Sequence, residues 1–163
     1  MALHPARLFM VCGKIAAGKS TLAAKLSQDH GAVLISEDAC LGPLFADLMQ
    51  TGADYLNYSE RLRAVMAPHV ADLLQKGVSV VLDFPANTKD QRNWMRALLD
   101  ETGADHELHL LDVPDAVCLD RLRDRNKTGE HPFAVTDEQF RAFSKHFDKP
   151  SADEGFHVIA HST

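Results

Sequence analysis

The stretch Gly13-Lys14-Ile15-Ala16-Ala17-Gly18-Lys19-Ser20, followed by Thr21, has the spacing G-x-x-x-x-G-K-[ST]. Residue types in that order can wrap a polyphosphate. Glycine lets the backbone curl so that successive amides point inward at phosphate oxygens. A helix starting at the end of such a turn adds its positive N-terminal end. Gly13 and the amides of Ala16, Ala17, Gly18, Lys19, Ser20 and Thr21 are therefore candidates to hold a nucleotide. Lys19 is placed to reach the β- and γ-phosphates, and the Ser20 hydroxyl to ligate Mg²⁺.

Carboxylates and arginines elsewhere could complete that chemistry. Asp83 closes the mostly aliphatic run Val78-Ser79-Val80-Val81-Leu82. That is where a second carboxylate holds Mg²⁺, directly or through water, in nucleotide-binding sheets. Glu37 and Asp38 follow another short apolar run. Either could take the proton of an attacking hydroxyl, and either could instead cap the next helix; Asp38 is preferred as base and acceptor contact. Arg121 and Arg125 are spaced i, i+4, share a helix face, and could close over a triphosphate. With Arg123 they could equally form a solvated face paired with Asp120 and Asp124. Asn87 and Arg92 follow the Asp83 strand and are candidates to contact an acceptor substrate. His131 is the histidine best placed for function, in a lid-like loop. Trp94 reads as packing rather than as a stacking platform.

Five strands and the helices between them must position these groups. Strands are expected at Arg7–Cys12, Ala32–Ile35, Val78–Asp83, Glu107–Asp112 and Phe156–Ala160. Helices are expected at 19–29, 39–50 (interrupted early by Gly42-Pro43), 55–76 (kinked or restarted at Pro68), 89–101, 114–125 and 136–147. Alternating strands and helices imply an α/β parallel sheet covered on both faces. Ligands of such sheets bind beyond the carboxyl ends of the strands. The phosphate loop, Glu37-Asp38, Asp83 and Asp112 all fall at that edge.

The chain has 163 residues, which suits a single domain over 1–163, with a lid segment at about 121–137. Its net charge of -6 disfavours a long polyanionic partner. No apolar run approaches a membrane span, and no secretory signal pattern opens the chain. Cys12, Cys40 and Cys118 are odd in number and widely spaced, giving no zinc or C-x-x-C motif. Reduced thiols in a cytoplasm are the expectation. Asn126-Lys127-Thr128-Gly129 lacks the aspartate of the guanine-reading N-K-x-D element, so adenine is the expected base.

Taken together, these motifs resemble the small P-loop kinases, and more narrowly the AAA_33-type kinases grouped with polynucleotide kinase, zeta toxin and chloramphenicol phosphotransferase. The resemblance rests on Gly13 to Thr21, on Ile35-Ser36-Glu37-Asp38, on the stretch Val80 to Thr88, and on Leu111-Asp112-Val113-Pro114 leading to Arg121 and Arg125. It implies a three-layer P-loop NTPase fold with sheet order 2-3-1-4-5 and an ATP·Mg²⁺ site at the carboxyl edge. It also implies a base at Asp38, an arginine lid at Arg121 and Arg125, and an adenine site bordered by Asp153 to Phe156. Relatives active on polynucleotides carry an arginine three residues after the base; here that residue is Leu41.

The expected activity is ATP- and Mg²⁺-dependent phosphorylation of a hydroxyl on a small molecule, by a monomer or small homo-oligomer. The alternatives are a nucleotide-dependent regulatory ATPase module without phosphoryl transfer, and a 5′-hydroxyl polynucleotide kinase. The residues from Leu41 to Tyr58 are expected to shape the acceptor pocket.

Overall fold

The computed structural model describes residues 5–129 and 134–162. Five parallel strands form one sheet in the order β2-β3-β1-β4-β5: β1 Arg7–Gly13, β2 Val33–Ser36, β3 Val80–Asp83, β4 Asp105–Asp112 and β5 Val158–Ser162. This is the order the resemblance implies. The register brings Ser36 opposite Asp83 and Gly13 opposite Leu111, so the chemistry-bearing strand ends share one edge.

Each strand is buried on both faces where it is central. On β1, Leu8, Met10 and Cys12 face one layer and Phe9 and Val11 the other. The second face is covered by α1 (Lys19–His30) through Ala23 and Leu26. The first is covered by α3 (Gly52–Gln75) and α4 (Lys89–Thr102), through Leu62, Val70 and Leu74 and through Met95, Leu98 and Leu99. A third cluster joins Ala17 of the phosphate loop to Cys118 and Leu122 of α5 (Asp115–Thr128) and Phe140 of α6 (Asp137–Ser144). The lid arginines are thereby anchored to the loop they face.

Neither proline breaks its helix. The residues after β2 form α2 (Glu37–Phe45) with Pro43 inside it, two residues earlier than the periodicity suggests. A short 3₁₀ turn, Ala46–Leu48, follows. Helix α3 runs through Pro68 for 24 residues, opened by a capping box between Thr51 and Asp54. Proline removes the amide that would bond the carbonyl four residues back. Those carbonyls belong to Ala39 and Ala64, both exposed, as are Pro43 and Pro68, so water can solvate them. Strand β3 is shorter than expected, because Val78 and Ser79 precede the paired run. Strand β5 starts two residues late, at Val158.

Candidate active site

The phosphate loop links β1 to α1. Gly18 has φ 103° and Ala16 φ 63°, both left-handed. Glycine bears such a φ without strain, whereas alanine there stores some, as is common where a backbone must cup a ligand. Gly13 is required for a different reason: a Cβ there would sit 3.1 Å from Leu111 Cβ and 3.2 Å from Ala17 Cβ. Lys19 Nζ donates to the carbonyls of Gly13 at 2.7 Å and Lys14 at 2.9 Å, which spans the loop from beneath. Burial lowers the Lys19 pKa, opposed by the Asp83 carboxylate and more weakly by Cys12, Cys118 and Asp38.

Ser20 Oγ donates to Asp83 Oδ2 at 2.8 Å. The hydroxyl from α1 and the carboxylate from β3 thus form an oxygen-only pair beside Lys19. Burial raises the Asp83 pKa, while Ser20 and Lys19 pull it back down. A hard cation suits such a pair: Mg²⁺ uses one or two protein oxygens and completes its shell with phosphates and water. No group of three or more His, Cys, Asp or Glu able to hold a metal occurs among the described residues.

Ser36 ends β2 and caps α2, its hydroxyl accepting from Ala39 N at 3.3 Å. That cap sets Glu37 and Asp38 in the first turn, aimed in different directions. Glu37 is 2% exposed; its carboxylate accepts from Tyr55 Oη and, at 2.6 Å, from Ser59 Oγ. Burial raises its pKa despite both hydrogen bonds. A carboxylate so enclosed and so satisfied is a brace between α2 and α3. Asp38, half-buried, instead contributes to the electrostatic environment of Lys19, Asp83 and Arg125. Of the two acidic neighbours, Asp38 is the less buried.

On α5, Arg121 Nη1 donates to the Ala17 carbonyl at 3.3 Å, in contact with the phosphate loop. Arg125 is half-buried, and its Nε has no hydrogen-bond partner. Burial lowers its pKa and Asp38 opposes that. Arg123 points away and pairs with Asp137 at 2.5 Å, fastening α5 to the start of α6. The three arginines therefore divide as the i, i+4 spacing suggests. His131 and much of the lid loop lie outside the described residues.

The two candidates after β3 change role. Asn87 Oδ1 accepts from Gly13 N at 2.9 Å and from Cys12 Sγ at 3.7 Å, so this side chain holds the entry of the phosphate loop. Arg92 is 1% exposed and is not positioned for an acceptor. Its Nε and Nη2 donate to Glu154 at 2.8 and 3.1 Å, and its Nη1 to the carbonyls of Ala86 at 2.9 Å and Asp148 at 2.7 Å. The expectation that Arg92 contacts substrate is corrected: a chain segment 62 residues further on folds over it. Its place in the α4 stripe with Met95 and Leu99, three and seven residues on, was the signal that it faces inward. Ser59, Tyr55 and Gln91, which brace the site, carry no motif. Gln91 Oε1 accepts from Asn87 N at 2.9 Å and orients that loop.

Two of the cysteines are enclosed in the core. Cys12 is fully buried and burial pushes its thiol up to about 11; Cys118 is also buried and raised by burial. Thiols in that condition are poor nucleophiles. No helix among the described residues is long and apolar enough to cross a membrane.

A glycine-turned loop between a central parallel strand and a helix, a lysine under it and a serine–aspartate pair beside it define a P-loop protein. The AAA_33 family (AAA domain) matches residues 8–150, and the chain belongs to that family. It is 33% identical over 132 residues to an adenylate kinase of Deinococcus radiodurans; the match covers 74% of this chain and 65% of that protein, so it spans about two thirds of the relative's length. Among solved structures, a protein of Chloroflexus aurantiacus superposes with a TM-score of 0.76 at 20% identity, covering 99% of this chain and 87% of the other. The APS kinase of Mycobacterium tuberculosis, solved with AMPPNP and APS, gives 0.62 at 21% identity over 97% and 88%. These two likenesses show the fold.

Proposed function

We propose that the protein is an ATP- and Mg²⁺-dependent kinase that phosphorylates a hydroxyl on a small molecule. The observation that carries this reading is the place of Asp38 in the first turn of α2, two residues beyond Ser36, which lies opposite Asp83 in the sheet register. A loop that only stored ATP has no use for a base there. The amides of residues 16–21 and Lys19 would hold the triphosphate, and Ser20 and Asp83 would hold Mg²⁺, which would supply positive charge against the phosphates. Asp38 takes the acceptor hydroxyl proton as its oxygen bonds to the γ-phosphorus and the bond to the β-γ bridging oxygen breaks, releasing ADP. Arg121 and Arg125 balance charge on the transferring group. The AMPPNP bound to the APS kinase neighbour supports ATP as donor.

The test is a screen of sugars, nucleosides, aminoglycosides and oligonucleotides with γ-labelled ATP, run with the wild type and Asp38→Asn. Transfer by the wild type, falling by about 10²–10⁴ in Asp38→Asn while AMPPNP still binds, is the expected result. Wild-type transfer by Asp38→Asn would remove the base assignment, and slow hydrolysis without any acceptor would favour a regulatory ATPase module.

Transfer to the phosphate of a nucleoside monophosphate is a second reading, favoured by the similarity to the adenylate kinase. That acceptor brings an ionised oxygen and needs no base. Asp38→Asn would then leave the rate within a few-fold, with nucleoside monophosphates as the active members of the screen.

A further inference from the structure

Helix α2 is nine residues long and contains Gly42 and Pro43. Glycine is a weak helix former, proline removes a backbone hydrogen bond, and a helix this short does not hold itself together in water. Its orientation is therefore set by what it touches. At its start, the Ser36 cap supplies one long hydrogen bond, 3.3 Å from Ala39 N to Ser36 Oγ. At its far end, Phe45 stacks on Tyr58 of α3, with ring centroids 4.5 Å apart. Between them Leu41 is fully buried in the main core, and Glu37 lies one turn before it on the same face.

Glu37 differs from the other contacts in kind. Its carboxylate accepts from two hydroxyls of α3: Oε1 from Tyr55 and Oε2 from Ser59, the latter at 2.6 Å. An apolar side chain would fill the same place at less cost, because a buried carboxylate gives up its hydration. What the carboxylate adds is direction. An aliphatic knob and a pair of stacked rings tolerate slippage. Two hydrogen bonds into one carboxylate, from hydroxyls one helical turn apart, fix the rotation of α2 about its axis and its place along α3. Asp38 is the next residue, turned about 100° from Glu37. The rotation of α2 is thus also the rotation of Asp38.

We propose that Glu37 is the positioning residue of Asp38, its carboxylate clamped by Tyr55 and Ser59 so that the first turn of α2 presents the base in one direction. The inference deepens the kinase reading and rests on it for the role of Asp38; the clamp itself rests on the two hydrogen bonds. A base works only within hydrogen-bond reach of the proton that it takes. A displacement of about 1 Å can cost about 10²-fold in rate, so a small turn of α2 is felt in kcat.

The test compares Glu37→Leu, Glu37→Gln and the double variant Tyr55→Phe with Ser59→Ala in the labelled-ATP assay. Leucine keeps the burial and loses the direction. Glutamine keeps both hydrogen bonds, its amide oxygen accepting from one hydroxyl and its NH₂ donating to the other. We expect kcat to fall about tenfold or more in Glu37→Leu and in the double variant, with KM for ATP and acceptor within about twofold. Glu37→Gln should stay within a few-fold of the wild type. Unchanged AMPPNP affinity reports that the variants are folded, and the hydroxyl deletions carry the test should Glu37→Leu not fold. The deciding comparison repeats Glu37→Leu in the Asp38→Asn background. There it should cost nothing further, because the direction of a side chain that takes no proton does not matter to the rate. Equal loss in both backgrounds would make Glu37 a structural brace alone and overturn the proposal, as would a wild-type kcat in Glu37→Leu.

Amide hydrogen exchange at residues 37–41 in the Mg·AMPPNP complex reads the clamp without any acceptor. Faster exchange in Glu37→Leu and wild-type exchange in Glu37→Gln support it; unchanged exchange in both overturns it. No transfer by the wild type to any acceptor, or wild-type transfer by Asp38→Asn, sinks the base assignment instead, and faster exchange in Glu37→Leu would then leave the clamp standing.

Discussion

Asn87 Oδ1 and the Gly13 amide meet at 2.9 Å, across 74 residues of sequence. The loop after β3 thereby fixes the first residue of the phosphate loop. The Asn87 carbonyl also accepts from Asp148 N at 2.7 Å, so one residue ties both ends of the site. Asn87→Asp keeps the acceptor but sets a negative charge beside the polyphosphate. We expect the Kd for ATP to rise roughly tenfold with little change in Tm; unchanged ATP affinity by fluorescence titration would show that the phosphates lie elsewhere.

The Arg92–Glu154 pair is 1% and 6% exposed, so its partners depend on one another. Arg92→Met strands a buried carboxylate and two carbonyls and should destabilise the fold by about 3–5 kcal/mol in urea unfolding. Adding Glu154→Gln removes the unpaired charge and should recover about 1–2 kcal/mol of that loss. Strict additivity of the two substitutions would mean that the pair is not coupled.

Ser20 and Asp83 offer the cation two oxygens. In Ser20→Ala the Mg²⁺ concentration for half-maximal nucleotide turnover should rise about tenfold. ADP binding measured in EDTA should not change. Equal loss with and without Mg²⁺ would reassign Ser20 to the phosphates alone.

Glu37 makes stability fall with rising pH. Its carboxyl pKa is raised by burial above the ordinary value, so the folded chain holds that proton more tightly than the unfolded one. The contribution is present in full below the unfolded value of about 4.3 and is lost as pH rises through the raised folded value. Glu37→Gln cannot ionise. Its Tm relative to wild type should therefore climb as pH rises above about 4.3, and a difference that stays flat over the whole pH range of folding would show that burial does not raise the Glu37 pKa.

Periodicity and motif spacing carried the sheet and the phosphate edge, because both are local. The runs into Gly13 and Asp83 are aliphatic and short, and their strand ends hold the expected residue types. Pro43 and Pro68 misled because the cost of a proline depends on whether the freed carbonyl meets water, and exposure is a tertiary property. The preference for Asp38 over Glu37 had no local signal behind it; the two differ because Tyr55 and Ser59 of α3 engage Glu37. Arg92 read as an acceptor contact because its partners lie 56 and 62 residues away.

Ala86, Asn87 and Arg92 bind the entry of the phosphate loop and the segment 148–154 into one block, through Gly13, Asp148 and Glu154. The donor side of the cleft is thus a cross-linked floor, held by buried and partly buried hydrogen bonds. Whatever shuts out water during turnover has to descend from the other walls, α2 with the start of α3 and the far end of α5. An immobilising link between those two walls should stall the cycle while leaving ATP capture intact.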